Sequence, residues 1–139
     1  MEAKELLERY KKGQSDFSGV DLSGVNLEEV YLEGINLEGA NLRGVVFYRS
    51  NLRASIFKNA NLEEADLSMT TLDETNFQGA NLRNCNMMET SMIRANFKDA
   101  IHEGAYFDGY THNTILPDGR LVSDPDAERG RLISEGYDF

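Results

Sequence analysis

From Ser15 to Gly109 a large apolar residue returns at every fifth position in one unbroken register. The series runs Phe17, Leu22, Leu27, Leu32, Leu37, Leu42, Phe47, Leu52, Phe57, Leu62, Leu67, Leu72, Phe77, Leu82, Met87, Met92 and Phe97, and Phe107 rejoins it after one miss at His102. A period of five suits neither regular element. On a helix each step turns the next apolar residue by roughly 140°, which scatters the set around the whole circumference. On a flat strand an odd period sends alternate members to opposite faces. Every central residue stays inside only if the backbone bends once per repeat, always in the same sense, so the pattern predicts a coil.

A second column agrees. Two residues before each centre stand small or β-branched residues, among them Val20, Val25, Ile35, Ala40, Ser50, Ala60, Thr70, Ala80, Cys85 and Ala95, which suit a cramped interior. The residue before the centre is mostly Asn or Asp, and the two after it are mostly charged or small, so these three positions face outward. Glycine recurs in the last position, as at Gly19, Gly39 and Gly79, where a tight turn favours a residue tolerant of positive φ.

Outside the repeats the pattern changes. Residues 2 to 12 read as a short amphipathic helix with Ala3, Leu6, Leu7 and Tyr10 on one side and Gly13 as its C-terminal cap. Eleven residues are marginal alone, so the helix must dock on the first coil. Thr114 to Val122 reads as two short apolar segments around a Leu116-Pro117-Asp118-Gly119 turn. From Asp124 the tail is polar, with a short helix or disorder as alternatives.

Units such as Ala40-Asn41-Leu42-Arg43-Gly44 and Ala80-Asn81-Leu82-Arg83-Asn84 resemble the pentapeptide-repeat proteins, over residues 15–109 and nineteen repeats. The amphipathic helix ahead of an Asp-Phe-Ser-Gly-Val-Asp-Leu start, with Leu-Pro-Asp-Gly after the last coil, looks like cyanobacterial members. The resemblance implies an all-β solenoid, a right-handed quadrilateral β-helix with one repeat per side and four per coil, and a short N-terminal capping helix. The expected organisation is 1–14 capping helix, 15–109 β-helix, 110–123 C-terminal turn segment and 124–139 tail. With four sides the stack is about 23 Å tall, and residues twenty apart form interior ladders such as Phe17, Leu37, Phe57, Phe77 and Phe97.

The bulk properties then limit function. A net charge of −10 argues against direct nucleic-acid binding, which depends on Lys and Arg neutralising phosphates. The chain has no apolar run long enough for a membrane span, and its single cysteine, Cys85, fits a reducing compartment; a cytoplasmic location is expected. Self-association through the tail is at most weak. The filled interior leaves no room for a catalytic cavity, so we expect no enzyme and no cofactor. As a metal pair His102 and His112 lack convergent ligands, and Cys85 reads as a buried, inert thiol.

Sorted by side, the repeat charges net −1 for the side centred on Phe17, −2 for that of Leu22, −4 for that of Leu27 and −1 for that of Leu32. Some members of the family are thought to imitate DNA and bind type II topoisomerases such as gyrase, and this is the alternative reading. Arg43, Arg49, Arg53, Lys58, Arg83, Arg94 and Lys98 interrupt every side, which disfavours it. The side of Leu27 instead carries Val46, Tyr48, Met69 and Met88 beside Glu28, Glu29, Asp66 and Glu89. Exposed apolar groups with an acidic rim suit contact with a protein partner, so the expected function is a non-enzymatic interaction or scaffold module.

Overall fold

The computed structural model describes residues 1–123. Its backbone winds through parallel bridges between residues twenty apart, such as Asp16↔Asn36, Asn36↔Ile56, Ile56↔Asn76 and Asn76↔Asn96, so four repeats complete one turn of the coil. Because the chain bends once in each repeat, most sides contribute a single bridge and no extended strand.

The hydrogen bonds of one repeat explain its composition residue by residue. In Ala40 to Gly44, the Ala40 amide closes the corner on the Leu37 carbonyl at 3.1 Å. Asn41 donates down to the Val20 carbonyl at 2.9 Å, while Leu42 and Gly44 donate up to the Asn61 and Glu63 carbonyls at 2.7 and 2.9 Å. The fifth amide, that of Arg43, donates to Oδ1 of Asn41 at 3.3 Å. That amide has no coil to bond to, and an Asn or Asp two residues earlier supplies the acceptor. The same bond recurs at Asn26, Asn36, Asn51, Asn61, Asp66, Asn76, Asn81, Asn86 and Asn96.

Inside, the apolar centres from Phe17 to Phe97 are buried. Phe57 stacks on Phe77 at 4.9 Å between ring centroids and Phe77 on Phe97 at 4.8 Å, one ring per coil. Phe47 and Phe107 meet this ladder edge-on from the opposite side of the coil. Hydroxyls in the small inner column bond carbonyls instead of lying idle: Thr70 donates to Phe47 at 2.6 Å and Ser55 to Leu32 at 3.3 Å.

The first coil is closed by α1 (Ala3–Lys11), whose Leu6 is fully buried. Tyr10 donates its hydroxyl to the Glu33 carbonyl at 2.7 Å. The helix ends in a Schellman motif, with Gly13 N–H on the Tyr10 carbonyl and Gln14 N–H on that of Arg9, and Gly13 at φ +101°.

At the other end the twenty-residue register changes. Strand β1 (Asn86–Ser91) pairs in parallel with β2 (Tyr106–Tyr110), from Asn86↔Tyr106 to Met88↔Asp108, and then resumes at Thr90↔Gly109 after a bulge at Glu89. The upper coil is thus one residue shorter. Gly109 makes that possible, since a Cβ there would lie 2.0 Å from the Thr90 carbonyl oxygen. Coil hydrogen bonding runs on past residue 109: Met92 donates to the Tyr110 carbonyl and Phe97 to that of Ile115, both at 2.8 Å. Strands β3 (Thr114–Ile115) and β4 (Leu121–Val122) pair antiparallel around the expected Pro117 turn, and buried Leu116 and Val122 complete the end. The tail expected from residue 124 lies outside the described residues.

Candidate protein-contact surface

The side centred on Leu27, Phe47, Leu67, Met87 and Phe107 carries the eight residues singled out from the sequence. Backbone pairing sets them in order. Asn26, Val46, Asp66 and Asn86 form one column of parallel bridges, so Val46 and Asp66 are neighbours on successive coils. The Glu29 amide donates to the Tyr48 carbonyl, and the Met69 amide to the Met88 carbonyl, each at 2.8 Å. Glu28 and Glu29 lie on the first coil, about 14 Å from the fourth-coil level of Met88 and Glu89. The set is therefore a strip along the stack and not one cluster.

Exposure divides the strip. Met69 is 43 % exposed and Met88 41 %, whereas Val46, Tyr48 and Asp66 are half-buried. Asp66 accepts from both the amide and the hydroxyl of Ser68, which is itself buried. Arg49 pairs with Glu29 across 3.8 Å, and among the described residues no ion pair involves Glu89.

The structure adds residues that the repeat pattern did not bring forward. Tyr106, 50 % exposed, heads the Asn26 column, and Tyr110, 64 % exposed, stands around the corner above Ser91. Between them Glu89, Asp108, Gly109 and Tyr110 line a cleft of about 280 Å³, opened where the upper coil loses its residue. A signal was present: Tyr31, Val46, Tyr106 and Tyr110 occupy bridge positions that in most repeats hold the turn-capping Asn or Asp. These side chains offer no carboxamide or carboxylate to cap the turn as Asn or Asp does, and Tyr31, Tyr106 and Tyr110 stand exposed there, with Val46 half-buried.

The adjacent side carries the opposite arrangement. Glu33, Arg53, Glu74 and Arg94 alternate up successive coils, with Arg53 bonded to Glu33 at 3.3 Å and to Glu74 at 3.2 Å, and Arg94 bonded to Glu74. The hydrogen bond from Arg94, helped by the charge of Arg53, holds the Glu74 carboxyl below its ordinary range. Glu33 also accepts from the Tyr31 hydroxyl, which raises that phenol. Negative charge on this side is thus compensated, which leaves the side of Met69 and Met88 as the acidic one.

The remaining chemistry-bearing residues do not converge. Burial, with the nearby charge of Asp66, pushes the Cys85 thiol well up. Among the described residues no group of three His, Cys, Asp or Glu is placed to hold a metal ion, and no helix is long and apolar enough to cross a membrane.

Comparison with known proteins agrees with this geometry. The family described as Pentapeptide repeats matches in eight copies, over residues 15–59, 31–68 and 55–92. No curated protein sequence matches the chain. Among solved structures, a pentapeptide repeat protein from the Arabidopsis thaliana thylakoid lumen is similar at 23 % identity and TM-score 0.59, covering 89 % of this chain and 79 % of the other. A pentapeptide repeat protein of the cyanobacterium Cyanothece 51142 is similar at 27 % identity and TM-score 0.45, over 81 % and 98 % of the two chains. One from Nostoc Pcc 7120 shows 30 % identity at TM-score 0.42, over 67 % and 81 %.

Proposed function

Because the chain belongs to the pentapeptide-repeat family, we propose that it is a right-handed quadrilateral β-helix acting as a non-enzymatic interaction module, with a protein docked along the side of Met69 and Met88. The observation that carries this reading is the coincidence of exposed Met69, Met88 and Tyr106 with the side of highest net negative charge. Apolar groups supply the contact energy, and the carboxylates around them select the partner and orient its approach.

Affinity capture from the native cell tests it, using the full chain and two variants, Tyr48→Ala and Met88→Glu. The expected result is a partner lost from both variants at an unchanged melting temperature. An identical set of captured proteins overturns the reading.

A further inference from the structure

The cleft at the upper end of the acidic side is built differently from the rest of the surface. Each lower coil presents its outward positions in strict register, so side chains stack directly above their equivalents. Between Met88 and Thr90 the ladder slips, and Glu89 has no bridged partner in the coil above. A bulge of this kind re-aims the side chain that it carries. Gly109, with no side chain, lets the upper backbone close onto the Thr90 carbonyl at the bulge, and its replacement by any larger residue is blocked by that carbonyl. The result is a cleft of about 280 Å³ lined by Glu89, Asp108, Gly109 and Tyr110.

Resting on the interaction reading above, we propose that this cleft receives an arginine side chain from a basic segment of the partner protein. The chemistry of the walls selects that group. Two carboxylates repel phosphate and carboxylate ligands, and among the described residues no third His, Cys, Asp or Glu joins them to make a metal-binding group. A guanidinium offers five donors in a planar fork that can bond carboxylates on both sides, and it stacks on an exposed aromatic face. Its three-carbon stem would lie toward Met88 and Tyr106, both exposed beside the cleft. Glu89, without an ion pair among the described residues, gains one on binding. Lysine offers a point charge and no planar surface for Tyr110, and ranks below arginine for this site.

N-acetyl-arginine amide serves as the probe, with N-acetyl-citrulline amide as its uncharged counterpart of the same shape, each titrated into the isotopically labelled full chain and followed by amide NMR shifts. The expected result is saturable shifts confined to residues 88–90 and 106–111, at least tenfold weaker with citrulline. Glu89→Gln and Tyr110→Ala should each weaken arginine binding several-fold while leaving the rest of the spectrum in place. Shifts spread evenly over the acidic positions, or equal with both probes, overturn the proposal. The interaction reading fails separately: if capture depends on Met88 while arginine shows no site, only the cleft assignment falls.

Discussion

The Ser50 hydroxyl sits inside the turn of the coil beneath it, accepting from the Val30 amide at 3.1 Å and donating to the Leu27 carbonyl at 2.9 Å. At equivalent corners, as between Ile35 and Leu32, the amide bonds the carbonyl directly at 3.1 Å. Ser50 has therefore taken over a corner bond and stapled two coils with it. Ser50→Ala leaves both groups without this partner, in a place where Ser50 itself is buried. A loss of about 1–2 kcal/mol is expected, toward the lower end because Val30 is half-buried. Urea unfolding measures it, with an unchanged denaturant slope.

The corners also store backbone strain. Ala54 is held at φ +60° and Gly39 at +66° in equivalent positions, and a Cβ on Gly39 would meet nothing within 4 Å. Sterics therefore drop out of the comparison. Gly39→Ala should cost about 1 kcal/mol, because a left-handed residue with a Cβ is disfavoured. Ala54→Gly should stabilise by about 0.5 kcal/mol, since relief of that strain is partly offset by the greater freedom of glycine in the unfolded chain. Thermal unfolding of the two variants should move in opposite directions.

The thiol of Cys85 reports the integrity of the stack. It is buried in the inner column and its ionisation is suppressed. An aromatic disulfide reagent at neutral pH should find no reactive thiol in the folded protein and one per chain in denaturant. Prompt reaction of the native protein would place Cys85 at an opening in the coil.

The coil was legible because an uninterrupted period of five admits one arrangement of inside and outside, and the Phe57, Phe77 and Phe97 stack follows once the family resemblance supplies four repeats per coil. The helix at Ala3–Lys11 and the Pro117 turn were legible from their caps and turn residues. The upper end was not. The apolar pattern falters at His102, yet pairing keeps its register through Asp108 and slips only at Gly109. A one-residue deletion is felt in hydrogen bonding between chain segments twenty residues apart, and composition within either segment does not record it. The strip of contact residues was assigned by side, but a pattern that places every such position outward does not record the half-burial of Val46 and Tyr48, nor the prominence of Tyr106 and Tyr110 beside the slip.

Acid should weaken the stack in a defined sense. Asp16 and Asp21 are lowered mainly by backbone hydrogen bonds from Ser18 and Ser23, and Glu74 mainly by its bond from Arg94. A carboxyl lowered in the folded state contributes stability that is present above its ordinary range and lost as pH falls through the folded value. The urea midpoint should therefore hold from pH 7 to about 5 and decline below the ordinary carboxylate range near 4. Glu74→Gln should flatten part of that decline. Its effect should shrink in 1 M salt, which screens exposed ion pairs, while the hydrogen-bonded aspartates keep theirs.

A supercoiling assay decides the DNA-mimic alternative. Duplex DNA carries one charge per about 1.7 Å, so a segment matching the stack of about 23 Å would hold about 14 negative charges. The repeats net −8, spread over four sides. Arginines also interleave with the carboxylates along the axis: Arg43 with Glu64, Arg53 with Glu33 and Glu74, Arg83 with Glu103, and Arg94 with Glu74. Every such pair breaks a line of negative potential where a phosphate track would continue it. Gyrase activity should therefore be unchanged by micromolar protein, and reversing the charge of Arg53 and Arg94 together should leave it unchanged as well, since the sides remain too short. Inhibition by the wild-type chain would move the function to the topoisomerase and make the acidic side its docking track.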